Sequence, residues 1–210
     1  MEVMIMDKTI FQTRSLQSDL AKLKVRAEGD SDKYIEGYFI VYNQETELWP
    51  GYFEKVAPEA VNNTLGNDIR ALINHDTTLV LGRNKAGTLE LKSDGHGLWG
   101  SIKINQNDSD AMNLYERVKR GDVSQCSFGF NVLDEEDEWR QDGTLHTTLR
   151  AIDLHEVSVC TFPAYEETGV QARHREIEQY KQKQIEIRKK KLKERLRNYG
   201  IKTDNVEQKN

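Results

Sequence analysis

Beyond Ile35 the apolar residues come in short stretches broken by turn formers, the punctuation of strands and not of a helical bundle. Residues 34–42 and 51–56 read as strands, and Pro58 opens a short helix, because proline in the first turn gives up an N–H that has no partner there. That helix is expected to fade by Leu65-Gly66, and residues 69–74 follow as a brief apolar strand. Between Thr78 and Ile104 the chain reads as two hairpins: strands at 79–83, 88–92 and 98–104, with turns at 85–87 and 93–97. Asp108 is placed to cap a helix in which Ala111, Leu114, Tyr115 and Val118 share a face and which Gly121 stops. Residues 123–133 and 145–160 are the last two long strands, and the acidic segment 134–143 between them is expected to be a loop, too polar to be buried.

Together these elements predict an α+β fold: a mostly antiparallel sheet of about seven or eight strands, closed as a β-barrel or left as a folded sheet, with two flanking helices. Over residues 174–199 the texture turns to continuous charged helix, with Ile177, Tyr180, Ile185, Leu192, Leu196 and Tyr199 as a sparse apolar stripe. So thin a stripe stabilises a lone helix poorly; pairing with another copy, packing on the body and fraying all remain open. The predicted organisation is an N-terminal extension (1–33), a folded domain (34–172) and a basic helical tail (173–210).

Composition supports the division. Of 210 residues, 37% are hydrophobic and 31% charged, so a core forms only if part of the chain stays solvated. Residues 174–199 hold ten Lys and Arg against four Asp and Glu, an excess of six positive charges in a chain of net charge −5, which leaves −11 on the remainder. An acidic body with a basic tail suggests that the tail meets an acidic protein or nucleic acid; a merely solvated helix explains the charges equally well. No apolar run approaches the roughly 20 residues that span a bilayer, and residues 1–16 lack the basic-then-apolar order of a signal peptide, so an unsecreted soluble protein without membrane contact is expected. Cys126 and Cys160 are too few and too far apart for a disulfide framework or a zinc ribbon, and structural roles in strands are expected for both.

Candidate chemistry rests on few residues. Of the five histidines, His96 lies in the turn Asp94-Gly95-His96-Gly97, His146 just beyond the acidic segment and His174 at the start of the tail; the first two are expected to be exposed and inert. His75 ends an apolar strand, where an imidazole can serve a site without being buried unpaired, though a strand-end histidine is commonly a surface or capping residue. Ser127 stands in Gln125-Cys126-Ser127-Phe128-Gly129-Phe130, with a glycine two residues on that permits close approach of another backbone; from local features alone the favoured reading is a half-buried serine bonded to a neighbouring strand. Glu156 interrupts a core-like strand, a costly charge unless paired. Alternation puts Ile152, Leu154, Glu156 and Ser158 on one face and Asp153, His155, Val157 and Val159 on the other, so only one of His155 and Glu156 can face a given site.

These segments together resemble the prohead, or capsid maturation, proteases of tailed bacteriophages, whose fold is similar to that of the herpesvirus assemblins. The resemblance runs from about residue 34 to 172. It is carried by Ile35-Glu36-Gly37-Tyr38, Phe53-Glu54-Lys55-Val56-Ala57-Pro58, Ile69-Arg70-Ala71-Leu72-Ile73-Asn74-His75-Asp76, Leu81-Gly82-Arg83, Ala86-Gly87-Thr88-Leu89, Arg120-Gly121-Asp122-Val123, Ser127-Phe128-Gly129-Phe130, Glu156-Val157-Ser158-Val159 and Thr161-Phe162-Pro163-Ala164-Tyr165. Where the family often has methionine or another apolar residue before the serine, this chain has Cys126.

The resemblance implies a serine endopeptidase with Ser127 as nucleophile, His75 as general base and Glu156 orienting the histidine. In the herpesvirus relatives the third member is a second histidine, which keeps His155 as the alternative. The substrates it implies are the scaffold protein and the precursor of the major capsid protein, with cleavage of the enzyme itself, in the host cytoplasm inside the assembling prohead. No cofactor and no metal is expected, since no histidine spacing suits one. Backbone N–H groups are the default oxyanion donors, with Arg150 as a side-chain candidate. The contrasting class is a non-catalytic capsid assembly or scaffolding protein on the same fold. Nucleic-acid binding through the tail is disfavoured, because Tyr180 and Tyr199 are too few for a stacking platform.

Overall fold

Two long strands, β10 (Gln125–Trp139) and β11 (Leu145–Cys160), form a hairpin that runs the length of the larger of two sheets in the computed structural model. The structure describes residues 10–16, 18–28, 32–162 and 167–198. In chain order the elements before the hairpin are β1 (Phe11–Leu16), α1 (Ser18–Ala21), β2 (Lys24–Glu28), β3 (Asp32–Val41), β4 (Thr46–Trp49), β5 (Tyr52–Val56), β6 (Arg70–Ile73), β7 (Asp76–Arg83), β8 (Leu89–Ser93), β9 (Gly97–Lys103) and α2 (Ser109–Arg120). Single 3-10 turns occupy Pro58–Val61 and Asn84–Ala86, and α3 (Glu167–Asn198) follows the hairpin.

Seven strands make the larger sheet, in the order β1-β10-β11-β5-β4, with β6 also on β11 and β7 on β6. The smaller sheet has four, in the order β2-β3-β9-β8. The α+β arrangement is as expected, but the strands form two sheets and no closed barrel among the described residues. Nor is the pairing purely antiparallel, because β5 and β6 both lie parallel to β11, against its first and second halves. Fully buried residues come from both sheets: Ile35, Phe39 and Ile40 of β3, Leu98 and Ile102 of β9, Phe130 of β10 and Ile152 and Leu154 of β11. Each such side chain removed from water stabilises the fold by roughly 1.5–3 kcal/mol.

Local signals held where they had a local cause. Asp108 accepts hydrogen bonds from the N–H groups of Asp110 (2.9 Å) and Ala111 (3.3 Å), and Gly121 ends α2 at φ 85°, in the left-handed region that glycine enters without strain. The buried face of α2 is Ala111, Leu114, Tyr115 and Val118, as the periodicity requires.

Three differences concern elements held by distant partners. The helix opened by Pro58 is a single 3-10 turn. The acidic segment is strand as far as Trp139, with Glu135 to Trp139 paired to residues of β11; its charges point to solvent while its backbone completes the ladder, so polarity excluded burial without excluding a strand. Residues 1–33, set apart by the sequence, contain β1 and β2, of which β1 pairs with β10 and β2 with β3.

The chain divides into two compact units. Of the described residues, those up to Gly169 belong to one, and those from Val170 to Asn198 to the other. The second consists of α3 from Val170 onward, with Ile185 and Leu192 exposed and Arg195 and Arg197 in its last turn. Tyr199 and Pro163-Ala164-Tyr165 lie outside the described residues.

Candidate active site

Ile73 and Asp76 face each other across a two-residue hairpin, and both residues of its turn, Asn74 (φ 50°) and His75 (φ 62°), have positive φ. A type I′ turn demands this, because only that twist matches the flanking strands. Asparagine tolerates the conformation; for histidine it costs about 1–2 kcal/mol. The turn is fixed to β11 and the residue after it by three hydrogen bonds: Asn74 N–H to the Val159 carbonyl (3.1 Å), Thr161 N–H to Asn74 Oδ1 (2.9 Å) and His75 N–H to Ser158 Oγ (3.2 Å). Strain in His75 is thus over-determined by its surroundings.

The imidazole so placed meets Glu156. His75 Nδ1 lies 2.6 Å from Glu156 Oε1, each side chain only 8% exposed. Because a carboxylate only accepts, Nδ1 carries a proton, and in the neutral imidazole Nε2 is then the bare nitrogen. Nε2 is buried and has no hydrogen-bond partner among the described residues, an arrangement that costs about 1–3 kcal/mol unless another group comes to use it. The other carboxylate oxygen, Oε2, accepts from Ser158 Oγ at 2.6 Å. Ser158 therefore ties the Glu156 carboxylate and the His75 backbone together, a positioning role that sequence reasoning missed, although alternation had put Ser158 on the face of Glu156.

Across the hairpin, Ser127 is paired with Ser158, and Gly129 with Glu156. Residues directly opposite in a ladder share a face, so Ser127, Ser158 and Glu156 face the same way. Ser127 is fully buried, and its hydroxyl donates to the Arg14 carbonyl of β1 at 2.8 Å, with Ser15 Oγ 3.4 Å away. Gly129 is glycine for a spatial reason: a Cβ there would fall 2.3 Å from Glu156 Oε1 and 2.3 Å from the Phe11 ring. The close neighbour is a side chain and not the backbone expected.

His155, one residue from Glu156, is turned away. Its Nε2 lies 2.5 Å from Asn131 Oδ1, its side chain is 43% exposed, and its ring is tilted against Phe11. Arg150 is held by Glu136 (2.5 Å) and Glu59 (2.9 Å) on the surface, which takes up the guanidinium proposed as an oxyanion donor. His96 is exposed as expected, packed edge-on to Tyr38. His146 is not: it is buried, stacked on Phe53 and bonded to Glu45 (2.8 Å) and Thr144 (2.9 Å). The side chain of His174 lies outside the described residues.

Neither thiol is set up as a nucleophile. Burial pushes the Cys126 thiol well above its ordinary value, and burial followed by the charge of Glu156 pushes Cys160 up to about 12. Near neutral pH both are un-ionised and so poor nucleophiles.

Comparison with known proteins follows the same lines. Residues 21–183 match the family model described as caudovirus prohead serine protease. The chain is 29% identical over 163 residues to the prohead protease of Enterobacteria phage HK97, covering 76% of this chain and 68% of the phage protein. No solved structure matches. A family match over most of the chain establishes that the chain belongs to the caudovirus prohead serine proteases, the serine peptidases of phage capsid maturation.

Proposed function

We propose that Ser127 is the nucleophile of this protease, His75 its general base and Glu156 the group that holds the imidazole, and that the enzyme cuts the scaffold and the precursor of the major capsid protein within the assembling prohead. The observation that carries the reading is the buried 2.6 Å contact of His75 Nδ1 with Glu156 Oε1, which leaves Nε2 bare to take a proton. In the reaction, the Ser127 hydroxyl turns from its present acceptor, loses its proton to Nε2 and attacks the substrate carbonyl carbon. The imidazolium, stabilised by Glu156, returns that proton to the leaving amine, and water then releases the acyl group. Backbone N–H groups remain the proposed donors to the oxyanion. Likeness to the herpesvirus assemblins is part of the same proposal and rests on the order and spacing of the motifs from residue 34 to 172.

The test is co-expression of the chain with the capsid and scaffold proteins encoded beside it, followed by fragment masses over time. Wild type is expected to cut them and Ser127→Ala to leave them whole. Equal inertness of the two chains with the true partners present would instead favour a binding role on this fold.

Within this reading, the basic helix tethers the protease to the shell interior or to acidic scaffold. Deleting residues 174–210 is expected to lower packaging into proheads by about tenfold or more, the scale on which a lost tether acts, while peptide hydrolysis stays unchanged. Equal packaging of the shortened chain, measured as protease per purified prohead, would remove that role.

A further inference from the structure

Strand β1 lies where a substrate would. It is the outermost strand on the β10 side of the sheet, so without it β10, which bears Ser127, would offer an open edge for an extended peptide. Six residues of β1 pair antiparallel with β10, from Phe11 opposite Asn131 to Leu16 opposite Cys126, with Ser15 opposite Ser127. The Ser127 hydroxyl is 2.8 Å from the Arg14 carbonyl oxygen, so the Arg14–Ser15 peptide group is the one held at the proposed nucleophile.

The described side chains of β1 differ from those of a core strand. Among its described side chains the buried ones, Gln12, Thr13 and Arg14, are all polar. Arg14 is 9% exposed and paired with Glu54 of β5, 6% exposed, through two parallel contacts: Nε to Oε1 at 2.6 Å and one terminal nitrogen to Oε2 at 2.9 Å. Gln12 Oε1 (2.6 Å) and the Thr13 carbonyl (2.8 Å) also accept bonds from it, and its guanidinium lies 5.5 Å from the centroid of the Phe130 ring. A buried ion pair of this kind stabilises a fold little compared with apolar side chains of similar volume, but a two-pronged carboxylate reads a guanidinium with high geometric specificity. Main-chain pairing for affinity with a side-chain pocket for selectivity is the general mode by which strands are recognised at sheet edges.

We infer that β1 is a substrate strand held in cis, that the Arg14–Ser15 bond is a self-cleavage site, and that Glu54 selects a basic residue on the acyl side of the bonds this enzyme cuts. This inference rests on Ser127 being the nucleophile. In the step, Ser127 Oγ bonds to the Arg14 carbonyl carbon, the bond from that carbon to Ser15 nitrogen breaks, and the proton passes by way of His75 to the Ser15 amine. Water hydrolyses the ester, giving an Arg14 carboxylate, a new N-terminus at Ser15 and a free Ser127. Departure of residues 1–14 then opens the β10 edge and uncovers Glu54 for the next substrate.

The same co-expression distinguishes the two readings if the full chain's own N-terminus and the bonds cut in the partners are both read by mass spectrometry. The expected result is a chain that begins at Ser15, cuts after Arg or Lys in the partners, and loss of both in Ser127→Ala. Glu54→Gln is expected to slow cleavage after basic residues on the order of 100-fold, the scale for losing one member of a buried charge pair. Arg14→Lys should keep the cut at residue 14 and Arg14→Ala lose it, a contrast that does not depend on how well the Glu54 variant folds. If Ser127-dependent cuts appear in the partners while Arg14–Ser15 stays intact, or if those cuts follow non-basic residues and ignore Glu54→Gln, the inference fails and the protease reading stands. If wild type cuts neither itself nor its partners, both fall.

Discussion

In the Ser127→Ala chain, hydrolysis of capsid and scaffold substrates is expected to fall by about 10⁶-fold, with His75→Ala equally damaging and the double variant no worse, because in the proposed mechanism the two side chains act as one unit. Glu156→Gln should lose about 10⁴-fold, since the amide keeps the size of the side chain but removes the charge that holds the imidazole tautomer and stabilises the imidazolium. The local bonding sharpens that expectation. Glu156 accepts from His75 Nδ1 on one oxygen and from Ser158 Oγ on the other, so the NH₂ of a glutamine must confront one of two donors. His155→Ala, in contrast, removes a half-exposed side chain bonded to Asn131, and is expected to stay within about threefold of wild type. Fragment masses over time in the co-expression give all these rates. Normal cleavage by Glu156→Gln together with loss in His155→Ala would exchange the two residues in the site.

Gly129→Ala is the second large effect. A methyl group there would lie 2.3 Å from both Glu156 Oε1 and the Phe11 ring, well inside any contact that real Cβ atoms make. The phenyl ring, 41% exposed as a residue, has room to swing aside. The carboxylate has less, being held by His75 and Ser158. The overpacking should destabilise the fold by about 1–3 kcal/mol, visible as a lower midpoint in urea. Displacing the carboxylate by even 1 Å should lower cleavage by about 100-fold. The two readouts separate the causes: a chain that is fully folded at the assay temperature yet slow has lost alignment, whereas one that is folded and fast would mean the Glu156 position does not matter.

How much of this was legible beforehand depended on how local each cause was. The ends of α2 follow from Asp108 and Gly121, whose capping bonds reach only a turn away, and they were read correctly. Alternation rightly put Ser158 on the face of Glu156 and His155 on another, but the division of β11 into two unbroken faces fails at His155, where a register shift pairs Glu156 with Gly129 and Leu154 with Phe130. The edge of the acidic segment was misread because charge reports which way a side chain points, not whether the backbone beneath it is paired. His146 was misread for a related reason: beside the turn in sequence, it is buried by Phe53 and Glu45, which come from far earlier in the chain.

The candidate site divides along the same line. Sequence alone determined which residue types could do the chemistry, because serine, histidine and carboxylate are scarce in the right surroundings and their spacing resembles one protease family. It could not say that Ser158 ties the carboxylate to the histidine turn, that Gly129 makes room for Glu156, or that Ser127 is covered by a strand from the N-terminus. Those facts join residues 83, 27 and 113 positions apart. Only the tertiary structure decided them, since pairing between distant strands is chosen by the fit of whole sheets and leaves no periodic mark in either segment.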